Sequence, residues 1–151
     1  MNSLQRFMCW LFLLSLSPAC LHAELGSASL TSGHGVAIKS SQAITSTKPL
    51  AYEIKKIISQ DDVEIHEYLT KTGIVFGIAW RGESKPDLVP LLGSFFSRYQ
   101  TALAQITTAR TPVAVQSSDF VLQTGGRMND FFGLAFLPTL APQGVSLSDI
   151  K

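Results

Sequence analysis

The sequence predicts an α+β domain: one antiparallel sheet of about five or six strands with a single amphipathic helix packed on one face. Three observations carry this. Six short runs rich in β-branched and aromatic residues are bounded by turn-forming residues. Only one stretch, Leu88 to Leu103, has apolar residues at helical spacing. No low-complexity tract or long linker divides the chain.

Taken in order, Glu24 to Pro49 is rich in Ser, Thr, Gly and Ala, with TSGHG in its middle and no sustained period. Residues 24–49 are therefore expected as a flexible N-terminal arm, ahead of a globular domain at 50–151. From Ala51, AYEIKKII, VEIHEYLT and GIVFGIAW read as strands separated by SQDD and KTG. In the second, Val63, Ile65, Glu67 and Leu69 share one face while Glu64, His66, Tyr68 and Thr70 share the other, as in a strand wet on one side. Lys71-Thr72-Gly73 suits a tight hairpin with Gly73 at positive φ. The third run has no polar residue and is expected at the centre of the sheet, with Ile74, Phe76, Ile78 and Trp80 on one face and Val75, Gly77 and Ala79 on the other.

RGESKPD leads into LVPLLGSFFSRYQTALAQ, where Leu88, Leu91, Leu92, Phe95, Tyr99 and Leu103 form a stripe flanked by Phe96. The helix should run from an Asp87 N-cap to Gln105, with Pro90 in the first turn, where a missing N–H costs little. PVAVQ, DFVLQT and FFGLAFLP then read as strands, with Gly125-Gly126 as the hairpin turn and APQGVSLSDIK as an irregular tail. VFGIAW and FFGLAF echo one another, which fits either two central strands with their Gly and Ala beneath the helix or a coincidence between two apolar strands. Trp80, Phe76, Ile78, Leu92, Phe95, Phe132, Leu134 and Phe136 are the expected core, and Phe132→Ala should then cost about 3–5 kcal/mol.

The first residues have the layout of a secretory signal peptide, residues 1–23: one cation at Arg6, an apolar core from Phe7 to Leu16, and Ser17-Pro18 before small residues. Cleavage after Ala23 is the first reading, and acylation at Cys20 is the rival. The apolar core is about half of the ~20 residues a membrane span needs, so no integral span is expected after processing. Processing removes Cys9 and Cys20, so neither a disulfide nor thiolate chemistry is expected. It also removes Arg6, which balances the remaining cations against the eleven Asp and Glu. A near-zero charge argues against nucleic acid as a partner.

The side chains limit the chemistry. With only His34 and His66 left after processing, no metal site and no cofactor are expected. No serine lies in a Gly-x-Ser-x-Gly elbow. The catalytic candidates reduce to His66 with Glu64 on one strand face, set against a hydrogen-bonded polar face without activity. Asp61-Asp62 has the chemistry of a turn. Gly125-Gly126-Arg127 resembles a phosphate cradle, but no helix follows it to supply converging N–H groups, which leaves Arg127 alone as a ligand-binding candidate.

GIVFGIAWRGESKPDLVPLLGSFFSRY, TGGRMNDFFGLAFLP and PQGVSLSDI together resemble the bacterial exported family catalogued as domain of unknown function 2844. The resemblance runs from about Tyr52 to Ile150 and implies export. Many of its members carry Gly-Pro shortly after the tryptophan and a second basic residue after Gly-Gly-x-Met, whereas here Glu83 follows Gly82 and Asn129 follows Met128. These departures weaken a basic cluster at Arg127, and the resemblance implies no catalytic residue. The expected function is a periplasmic, noncatalytic domain that binds an envelope protein or a small ligand. The alternative is a small periplasmic hydrolase or transferase using His66 with Glu64 or Arg127.

Overall fold

The computed structural model describes residues 25–29, 37–44, 51–106 and 112–151. The expected signal peptide, both cysteines and His34 lie outside the described residues. The strands are β1 (Ile38–Ile44), β2 (Tyr52–Ser59), β3 (Glu64–Thr70), β4 (Val75–Gly82), β5 (Val113–Gln116), β6 (Val121–Arg127) and β7 (Asp130–Phe136). They form one seven-stranded sheet in the order β1-β2-β3-β4-β7-β6-β5, and every pairing is antiparallel.

The strand beyond the expected five or six is β1, drawn from the stretch expected as an arm. Its sequence IKSSQAI is exposed at every position but Ile38, so no buried face imposes a hydrophobic alternation. Backbone pairing to β2 holds it. Residues 25–29 also pack on the domain: Leu25 is buried, the Gly26 N–H donates to the Val75 carbonyl, and the Val75 N–H donates to that of Ser27. Ser29 Oγ donates to Glu67, which is fully buried, and Lys55 Nζ donates to Ser29 Oγ at 3.0 Å. Lys55 and Glu67 are cross-strand partners. The acid that the alternation places on the apolar face thus enters a polar network instead of standing bare in the core.

The helical stretch begins as its cap predicts, with the Val89 N–H donating to Asp87 Oδ1 at 3.0 Å. It is not continuous. Helix α1 (Leu88–Leu92) stops at Gly93, whose φ of 51° lies in the left-handed region; a single 3-10 turn follows, then α2 (Phe96–Ala104). Only glycine takes that φ cheaply. Leu88, Leu91, Leu92 and Tyr99 remain buried in one cluster with Ile65, Ile78, Trp80, Phe120 and Leu122. Each such large apolar side chain contributes about 1.5–3 kcal/mol when buried.

The opposite sheet face carries a second cluster, where the tail lies across Tyr68, Phe76 and Phe136 and inserts Ile150. Tail residues Leu147–Asp149 form a 3-10 turn closed by a capping box between Ser146 and Asp149. A bulge redistributes β4 between the two faces. Tyr68 pairs with Gly77 but Leu69 with Val75, so Phe76 is the extra residue and joins the tail-side cluster, away from Ile78 and Trp80.

Gly77 and Ala79 therefore face the tail, and a Cβ on Gly77 would lie 2.8 Å from Ile150. Gly133 and Ala135 face the helix side, as expected. The echo has a physical basis: β4 and β7 are neighbours in which Gly77 pairs with Phe136 and Gly133 with Trp80. Gly133 leaves room for the indole opposite it, whereas the space beside Gly77 is taken by Ile150 of the tail.

Phe132 was expected in the core but is 49 % exposed, on the tail-side face beyond the reach of the tail's apolar cluster. Phe132→Ala should therefore cost only about 1 kcal/mol or less, as surface substitutions do. Urea melts of the variant and parent check this; a loss of about 3 kcal/mol or more would restore Phe132 to the core.

Candidate functional site

Two adjacent rows of side chains cross the tail-side face through β3, β4, β7 and β6. One row is Glu64, Arg81, Phe132 and Gly125, and the other is His66, Ala79, Leu134 and Gln123. Where the tail leaves these rows uncovered they line a groove of about 360 Å³, closed at one side by Lys151. Its shape follows from side-chain size. Ala79 sits between His66 and Leu134 and lowers the floor. The Phe132 ring lies over Gly125, within 3.2 Å of where a Cβ would stand.

The groove brings together the sequence candidates His66 and Glu64. His66 Nε2 lies 2.9 Å from Glu64 Oε1, an ion-pair contact off the ring's N–H axis, so this buried nitrogen has no aligned hydrogen bond. Nδ1 is 3.2 Å from the main-chain oxygen of Lys151. Lys56 Nζ pairs with Glu64 Oε2 at 2.7 Å, and its hydrogen bond is the main cause that holds the Glu64 carboxyl below the usual value. Glu64 is thereby kept as an anion, suited to orienting a partner and not to donating a proton.

Tyr68 anchors the groove wall. Its hydroxyl donates to the Lys151 oxygen and accepts from the Lys151 N–H, each at 2.8 Å, and burial raises its pKa. Arg81 was not a sequence candidate. It stands opposite Glu64 and reaches Asp130 Oδ1 through both Nε (3.1 Å) and Nη2 (3.0 Å).

Arg127 is elsewhere. It ends β6 at an exposed hairpin tip and does not line the groove. The hairpin turn is Met128-Asn129, not Gly125-Gly126: Asn129 takes the left-handed conformation at φ 64°, which asparagine tolerates. Gly126 stays within β6 at φ 142°, and a Cβ there would lie 2.6 Å from the Asp130 oxygen. Asp61-Asp62 is a turn, with Asp62 at φ 57°. Among the described residues no group of three or more His, Cys, Asp or Glu could hold a metal ion. No helix among them is long and apolar enough to cross a membrane.

The family described as "Protein of unknown function (DUF2844)" matches residues 21–150. The chain belongs to this family. The match takes in every strand of the sheet and the groove, except Lys151. Neither the curated proteins nor the solved structures contain a match to the chain.

Of the groove residues only His66 and Glu64 were sequence candidates; Arg81, Gln123, Phe132, Leu134 and Lys151 are among those that sequence reasoning did not assign to a site. Period-two alternation places each of these except Lys151, which lies in the tail, on a face of its own strand. Which strands lie side by side, and in what register, carries no local signal.

Proposed function

We propose that the chain is an exported bacterial envelope protein whose DUF2844 domain binds a small ligand or a partner in this groove without catalysing a reaction. The observation that carries the reading is the groove itself: an apolar floor of Ala79, Phe132 and Leu134 rimmed by Glu64, His66 and Arg81. Its volume is at the small end of the ~300–1,000 Å³ typical of ligand pockets. Export is supported by the N-terminal layout of Arg6, the Phe7–Leu16 apolar core and Ala23, with the periplasm as destination and acylated Cys20 as the rival anchor.

Screening small fragments against the purified protein by amide chemical shifts should perturb Ala79, Gln123 and Leu134 together. Shifts scattered over the surface would sink the binding reading. Cell fractionation with N-terminal sequencing should return a periplasmic protein beginning at Glu24.

A second reading is supported by the His66–Glu64 contact, which could position a general base in a small hydrolase or transferase. Arg127 is too far along the hairpin to line the same groove. No serine, threonine or cysteine is among the groove residues, so His66 would have to activate water or a substrate group. Hydrolysis of ester, peptide or glycoside substrates that disappears in His66→Ala would establish this reading and end the noncatalytic one.

A further inference from the structure

We propose that residues 25–29 are a strap whose docking closes the leader-cleavage site, so that removal of the leader has to precede completion of the fold. The inference rests on the export reading above and adds an order to maturation. Leu25 is 1 % exposed, and its N–H donates to the Leu91 carbonyl of α1 at 3.2 Å. The Gly26 N–H donates to the Val75 carbonyl at 2.8 Å, the Val75 N–H donates to that of Ser27 at 2.9 Å, and Ala28 bridges to Ile74. Gly26 takes a φ of 85°, and a Cβ there would lie 3.3 Å from Leu137 and 3.7 Å from Phe95. Ser29 Oγ then fastens the strap to the buried Glu67 carboxylate, with Lys55 Nζ donating to Ser29 at 3.0 Å.

The bond expected to be cut follows Ala23, two residues before Leu25 in sequence. Consecutive Cα atoms are 3.8 Å apart, which keeps the Ala23 Cα within about 8 Å of that of Leu25 whatever path the chain takes. A peptidase cleft holds the residues around its cut extended and pairs with their main-chain N–H and C=O groups. The N–H groups of Leu25 and Gly26 are instead committed to Leu91 and Val75, and Gly26 turns the chain away from an extended path. Strap and cleft therefore compete for the same backbone, and cutting of the folded chain proceeds through the molecules whose strap is open. Burial of the Leu25 side chain alone lowers that fraction by a factor of about ten or more. A chain cut while unfolded docks its strap afterwards; a chain that folds first protects its own leader.

The test follows cleavage by a bacterial signal peptidase in detergent micelles, with mass spectrometry reading the position and rate of the cut. The substrates are the folded full chain, the same chain with a short Gly-Ser linker inserted between Glu24 and Leu25, the Ser29→Ala chain, and a peptide of residues 1–35. The linker leaves both the cut sequence and the strap intact while separating them. The peptide and the linker chain should be cut after Ala23 at similar rates, and the folded parent about tenfold or more slowly. Ser29→Ala removes a hydrogen bond to a buried carboxylate at a position well past the cut, and should speed cleavage of the folded chain about fivefold or more.

Equal rates for the parent and the linker chain, a linker chain that resists while the peptide is cut, or a Ser29→Ala chain cut no faster than the parent would overturn the strap while leaving the export reading in place. If the peptide is not cut after Ala23, the cleavage site assigned to export and the strap's role both fail.

Discussion

Phe120→Ala should lower the stability of the domain by about 3–5 kcal/mol, the cost of removing a fully buried aromatic side chain and leaving a cavity. Phe120 is 0 % exposed and stacks on Phe95 with ring centroids 4.8 Å apart. It lies where the helical layer meets the β5-β6 end of the sheet. Arg98 of α2 covers both rings, its guanidinium carbon 5.5 Å from the Phe95 centroid and 5.9 Å from that of Phe120.

Arg98 also forms a two-pronged pair with Asp119 at 3.0 and 2.8 Å, and this hydrogen bonding holds the Asp119 carboxyl down at about 2. Removing the ring therefore withdraws the surface on which the helix, its arginine and the Ser117–Phe120 turn all rest. Thermal melts should show a fall on the order of 10 °C or more. A loss below about 1 kcal/mol would mean that α2 contributes little to holding the sheet. Phe132→Ala, a change of the same size at an exposed site, is the control.

Gly133→Ala is the second large effect and arises from space, not from backbone conformation. A Cβ at Gly133 would lie 2.3 Å from Trp80 Cζ2, 2.6 Å from Cε2 and 2.9 Å from the Gln123 main-chain oxygen. The ring is buried in the helix-side cluster and the oxygen belongs to a paired strand, so neither can yield without disturbing the centre of the sheet. Overpacking of this kind costs about 3 kcal/mol, at the upper end of its usual range. Chemical denaturation of Gly133→Ala, Trp80→Leu and the double variant should show coupling, with the alanine costing less once the indole is gone. Additive losses would show that the indole is not what excludes a side chain from that position.

Much of the fold was legible because its signals are local. The runs at β2 through β7 carry their own alternation or apolar density and are bounded by turn residues. Gly73 takes the positive φ its hairpin required, at 83°, and Asp87 caps the helix. The misses share a cause in what the local pattern lacks. Strand β1 has no buried face to write into its sequence. The leucine stripe runs through Gly93, so periodicity alone did not reveal the break in the helix. Gly125-Gly126 looks like a turn because glycines make turns, yet here they sit in β6, the first beneath the Phe132 ring and the second against the β7 backbone.

The candidate site divides in the same way. His66 and Glu64 could be placed on one face by counting in twos, and that face holds the groove. Phe132 and Leu134 could be placed on a common face too, but the sequence reading made that face the core.

By itself the sequence determined the segments of β2 to β7, the Asp87 cap and the Gly73 turn, since each rests on neighbours a few residues apart. Only the tertiary structure decided which aromatic lies over which glycine, how the bulge at Phe76 turns the two faces of β4, and that Glu64, Arg81, Phe132 and Leu134 share one groove. Those outcomes depend on register between distant strands, which is settled by packing on both faces of the assembled sheet.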